Sequence, residues 1–145
     1  MKIKTLVAVL LLSGGVTSTF AQSDCNANSS ISHEAVRAKN FKDAYAPCMA
    51  VLKDCPTLRY YTYTDAQKIL TGLMSQIKDR NSAEYKKLFD ELMAVHDQKM
   101  KYIPEFASKM KGVPSVASAL GTKAVDYLQY APAPDLNQAY AWLKE

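Results

Sequence analysis

The sequence predicts an all-α fold of antiparallel helical hairpins, about six helices stacked as an α-solenoid, and three observations carry that reading. Every segment with a clear apolar period repeats at i, i+3 or i+4, and i+7, the helical spacing. Short polar or Pro/Gly-bearing turns separate these segments. Strand-like composition is confined to residues 58–64. A lone strand has no pairing partner, so this stretch reads as a connector or the start of a helix.

The first helical segment covers residues 31–39, with Ser29 or Ser30 as its N-cap. The second follows the stripe Phe41, Ala44, Tyr45, Cys48, Val51, Leu52 and Cys55. Pro47 interrupts it and Pro56 ends it. Asp65 caps a third, with Ala66, Ile69, Leu70, Leu73, Met74 and Ile77 on one face. The turn Asp79-Arg80-Asn81-Ser82 introduces the longest helix, residues 83–103, closed by Pro104. Its apolar residues cover more than one stripe, which implies contact from two sides. A loop containing Gly112 leads to a fifth helix over residues 115–130, with Val116, Leu120, Val125 and Leu128 inward. After Ala131-Pro132-Ala133-Pro134, Asp135 caps a sixth, with Leu136, Ala139, Tyr140 and Leu143 inward. No stop signal follows it, so residues 22–145 are expected to be the front of a longer array.

Residues 1–21 read as a secretion signal. Lys2 and Lys4 form a positive start, Leu6 to Leu12 an apolar centre, and Thr19-Phe20-Ala21 a small-residue cleavage site. The apolar run is shorter than the roughly 20 residues a membrane span needs. The residues before Cys25 lack a lipidation box. The chain carries 18 Lys and Arg against 14 acids. The signal holds two of the lysines and no acid, so the remainder has 16 against 14, a net +2. A net +2 is no argument for nucleic acid, which asks for a clustered basic face, and no nucleic-acid partner is expected.

Export gives the cysteines an oxidising compartment. Cys48 and Cys55 on one helix stand two turns apart, roughly 10 Å along the axis, beyond the roughly 7 Å Cα reach of a disulfide. Antiparallel packing of the first two helices favours a Cys25–Cys55 bridge instead, with Cys48 a buried thiol.

The stretch Lys39-Asn40-Phe41-Lys42-Asp43-Ala44 resembles the second half of a tetratricopeptide (TPR) repeat. Small Ala44 is followed by Cys48 four places on, Val51 seven on and Pro56 twelve on. Cys48 stands where that family favours an aromatic, and Asn28, Ile31 and Ser32 replace its bulky-Leu-Gly start. The chain also looks like the N-terminal region of exported Bacteroidetes TPR-like proteins. The shared features are an early Cys, a Lys-aromatic-Asp-Ala segment, Cys55-Pro56 at a helix end, and Val95-His96-Asp97-Gln98. The Ala21-Gln22 junction resembles theirs too. The resemblance implies a non-catalytic periplasmic scaffold that binds a protein or peptide.

Catalytic patterns are incomplete. His33-Glu34-Ala35-Val36-Arg37 lacks the second histidine of a zinc-protease motif, so His33 and Glu34 read as solvated first-turn residues. Cys48 and His96 are a formal nucleophile pair, but the apolar stripe makes Cys48 structural. His96-Asp97-Gln98 reads as core hydrogen bonding or a helix–helix contact. Lys86, Lys87, Lys99, Lys101, Lys109 and Lys111 read as a solvated face. Arg59 with Tyr60, Tyr61 and Tyr63 reads first as aromatics bridging two helical hairpins and is also the candidate partner-binding group, because Tyr and Arg concentrate binding energy at interfaces. No cofactor, metal or catalytic residue is expected. The competing reading is a self-contained periplasmic bundle that binds a small ligand or acts as a chaperone.

Overall fold

The computed structural model describes residues 17–144, with side chains from Asp24 onward. Among them are six helices: α1 (Thr17–Arg37), α2 (Phe41–Asp54), α3 (Tyr61–Met74), α4 (Ala83–Lys109), α5 (Val116–Tyr130) and α6 (Leu136–Trp142). The described residues form no strand. Each helix packs on the next in chain order, and α1 also meets α3. This is the stacked, solenoid-like arrangement the periodicity predicts. No described helix is long and apolar enough to cross a membrane. The apolar centre of the expected signal lies outside the described residues, and α1 runs across the Ala21-Gln22 junction.

Polar side chains set the helix starts. Asn40 accepts from the Asp43 N–H, Ser82 from Tyr85, Ser115 from Ser118 and Asp135 from Asn137. The α1–α2 turn closes with Lys39 at φ 57°, while the Asn40 N–H reaches back to the Ala35 carbonyl at 2.8 Å. Gly72 lets α3 approach the start of α2. A Cβ there would stand 2.3 Å from the Phe41 ring.

Four boundaries differ from the sequence reading. α1 does not start at a Ser29 or Ser30 cap; both serines lie inside it. Its buried stripe is Cys25, Ser29, Ser32 and Val36, helical in spacing but too polar to read as apolar. Pro47 stays inside α2, removing only the N–H that would reach Asp43. α3 begins at Tyr61, so Asp65 is buried in its second turn and caps nothing. Pro104 does not close α4: buried Ile103 and Phe106 anchor the helix on either side of it, and the proline faces solvent.

The core lies between α2, α3 and α4. Ala44, Cys48, Tyr63, Ala66, Ile69, Leu70, Met74 and Leu92 are essentially inaccessible there. Burying an aliphatic side chain of this size contributes roughly 1.5–3 kcal/mol. In α5 the expected inward face is wrong. Val116, Val125 and Leu128 are exposed, and Ala119, Lys123, Ala124 and Asp126 are buried. Buried polar anchors, described below, set the rotation of that helix. Leu136, Tyr140 and Leu143 are likewise exposed, and only Ala139 of α6 is buried.

Candidate binding site at the start of α3

The bend between α2 and α3 is tied to α1. Cys25 and Cys55 form the bridge, with Cα atoms 6.3 Å apart. Residues 56–60 therefore leave a fixed point, and Tyr63 donates its hydroxyl to the Pro56 carbonyl at 2.9 Å. The bridge and the hydrogen bond hold Arg59, Tyr60 and Tyr61 against two surfaces.

On one side is a polar seam with α1. Arg59 donates to the Tyr61 hydroxyl and, from Nη2, to Asn26 Oδ1 at 3.3 Å. The Tyr61 oxygen also lies 3.3 Å from Ser29 Oγ. His33 stacks beside the Tyr61 ring, centroids 4.6 Å apart, and donates from Nδ1 to Asp65 Oδ2 at 2.7 Å. His33 is thus a partner of a buried carboxylate in the latter part of α1, not a solvated first-turn residue; Glu34 is exposed and paired with Arg37.

On the other side is a groove of about 370 Å³ at the end of the α3–α4 hairpin. Its walls are residues 57–61 and, across from them, Phe106, Lys109 and Met110. Tyr60 meets Phe106 edge-on, centroids 5.4 Å apart. Met110 is 46% exposed. Burial raises the Tyr60 hydroxyl above its ordinary pKa.

The sequence group is therefore divided. Arg59, Tyr60 and Tyr61 are half-buried and line the groove. Tyr63 does not: it is fully buried in the core with its ring against Phe106, and supports the groove from beneath. The sequence reading missed His33, Asp65, Phe106 and Met110. Asp65 carried a signal, since it stands four residues before Ile69 on the buried face, where a carboxylate needs a partner.

A second polar cluster joins α3, α4 and α5. His96 Nε2 and Gln67 Nε2 both donate to Asp126 Oδ2, at 2.8 and 2.7 Å. Lys123 donates to Asp97 at 2.6 Å and lies over the Trp142 ring, 4.4 Å from its centroid. Gln98 donates to the Leu52 carbonyl at 2.8 Å. His96 and Asp97 thus hold α5 and Gln98 holds α2, the helix–helix role their sequence implied. Lys99 departs from its expected solvated face. It is buried, and desolvation lowers its pKa against the opposing pull of Asp126.

Cys48 is a free, buried thiol that donates to the Thr62 carbonyl at 3.7 Å. Burial pushes its pKa up to about 11, the reverse of an activated nucleophile. Cys48 and His96 have separate partners. Comparison of the chain with protein-family models, curated proteins and solved structures returns no match.

Proposed function

We propose that the protein is a non-catalytic, exported interaction scaffold of TPR-like helical hairpins, working in a periplasm, that holds a protein or peptide partner at the Arg59–Tyr60–Tyr61 groove. One observation carries the reading: half-buried Leu58 and Tyr60 face exposed Met110 across a groove floored by buried Phe106 and lined also by Arg59. Aromatic and Arg side chains around a partly desolvated depression are the composition of interface hot spots. The Cys25–Cys55 bridge supports an oxidising compartment.

A photo-crosslinking residue at Tyr60, with a second at exposed Asp90 as control, tests this in cells. Discrete adducts from position 60 alone are expected; equal or absent adducts from the two positions would overturn the reading. N-terminal sequencing of protein from the envelope fraction tests export, with Gln22 expected as the first residue.

A further inference from the structure

Arg59 is held entirely by neutral groups. Its two terminal nitrogens donate to the Tyr61 hydroxyl and to Asn26 Oδ1, and its carbon lies 5.7 Å from the Tyr61 ring centroid. Among the described residues no carboxylate is within ion-pair distance of it. The neighbouring cation on the groove, Lys109, is already paired with Glu105. A guanidinium carries five N–H donors. Two are engaged, which leaves three on a side chain whose orientation is already fixed. Ordering a free arginine costs rotamer entropy on binding; here the Tyr61 and Asn26 contacts have met that cost in advance.

The groove beside it is apolar where Leu58, Tyr60, Phe106 and Met110 line it. Two facing segments make its walls, residues 57–61 on one side and Phe106, Lys109 and Met110 on the other. Beside the groove, exposed Lys111 and the Lys109–Glu105 pair add a net positive charge to that of Arg59.

We propose that the occupant is an internal acidic peptide segment, with an aromatic or long aliphatic side chain seated between Tyr60, Phe106 and Met110 and a neighbouring Asp or Glu carboxylate on Arg59. Planar bidentate pairing of carboxylate and guanidinium fixes the register of the segment, while the apolar contact supplies area. The assignment rests on the interaction-scaffold reading and adds the partner's chemistry. The site lies at the hairpin end, where α3 begins and α4 finishes, and uses no residue of the buried α3–α5 cluster.

Selection of a displayed random dodecapeptide library on the disulfide-bonded protein, followed by anisotropy titration of synthetic, C-terminally amidated winners, tests it. Winners are expected to combine Asp or Glu with Phe, Trp or Leu within two positions. Arg59→Gln is expected to weaken them tenfold or more, the size of one charge-assisted hydrogen bond. Because Arg59→Gln also removes the Asn26 tie, Met110→Glu provides a second variant. It alters an exposed side chain, leaves the fold intact by circular dichroism, and repels the same peptides at least tenfold. Winners that depend on Tyr60 but lack an acid, or that bind both variants unchanged, overturn the acidic occupant and leave the scaffold reading standing. Loss of binding on amidation overturns the internal-segment assignment. A selection with no Tyr60-dependent winner overturns both.

Discussion

Helices α2–α4 and helices α5–α6 both carry an apolar helical period in sequence, yet the molecule fastens the front, α1–α4, and the back, α5–α6, by opposite means. The front is held by apolar contact around Ile69, Leu70, Met74 and Leu92, with the Cys25–Cys55 bridge closing its edge. The back buries alanines and charges; Leu120, Tyr127, Tyr130 and Trp142 are half-buried, while Val116, Val125, Leu128, Leu136, Tyr140 and Leu143 stay exposed. It is attached through points: Asp126 to His96 and Gln67, Lys123 to Asp97, and the Tyr85 hydroxyl to the Tyr130 carbonyl at 2.8 Å. An apolar period shows that a helix has two faces. Which face packs is decided by the most demanding side chain, and a buried carboxylate demands more than a valine.

The largest effects belong to the front. Leu92→Ala empties a fully buried site and is expected to cost about 3 kcal/mol, read as a lower urea midpoint with an unchanged slope. Reducing the bridge, or Cys25→Ser with Cys55→Ser, frees a loop with a sequence separation of 30. For such a loop the chain-entropy estimate is about 3–4 kcal/mol. The same reduction is expected to loosen the groove, so binding of any groove ligand should weaken together with stability. A reduced protein as stable as the oxidised one would break the account of the front edge.

Removal of a polar anchor separates the two halves. Asp126→Ala leaves the Nε2 groups of His96 and Gln67 without their acceptor, a loss of about 2 kcal/mol. Hydrogen exchange is expected to quicken across α5 and α6 while α2 and α3 keep their protection. Asp126→Asn retains an acceptor of the same shape and should show a smaller effect. Exchange that quickened equally in all six helices would mean that the back is held like the front.

This contrast also accounts for what was legible in the sequence. The helical class, the stack in chain order and the burial of Ile69, Leu70 and Met74 follow from spacing, because local periodicity and tertiary burial agree there. The first half of α1 was hidden because its inward stripe is Cys25, Ser29 and Ser32, small residues that suit close packing and carry little hydropathy. At Pro47 and Pro104 the loss of one N–H is outweighed by the buried residues on both sides. Arg59, Tyr60 and Tyr61 were visible by composition. Their opposite wall, Phe106 and Met110, was not, since only the fold brings together segments 45 residues or more apart.

A titration probes the front alone. Burial raises the Cys48 thiol from 9.0 to about 11, so the native state holds this proton more tightly than the unfolded chain. The stabilisation is fully present below pH 9 and is lost as pH rises toward 11. Between pH 8 and pH 10 the loss attributable to Cys48 is about 1 kcal/mol. Lys99 acts in the opposite sense, because its lowered pKa makes stability rise with pH. Comparison with Cys48→Ala therefore isolates the thiol: the variant should show a shallower decline over that interval. Identical slopes would place the titrating group elsewhere.

The smallest effect is the sharpest test of the back. Val125 is 61% exposed and Leu136 is 73% exposed, although both stand where helical spacing reads an inward position. Val125→Ser and Leu136→Ser are each expected to change stability by less than about 0.5 kcal/mol, the range of surface substitutions that touch no cap, pair or core contact. Had these residues formed the packed face, the same changes would cost several times more, because a buried apolar group would be replaced by an unpaired hydroxyl. Ala124, the neighbour of Val125 in sequence, is 2% exposed, and Ala124→Leu should disrupt the α4–α5 contact through overpacking. A tolerant Ala124 beside a sensitive Val125 would rotate α5 onto its apolar face and remove the distinction between the two halves.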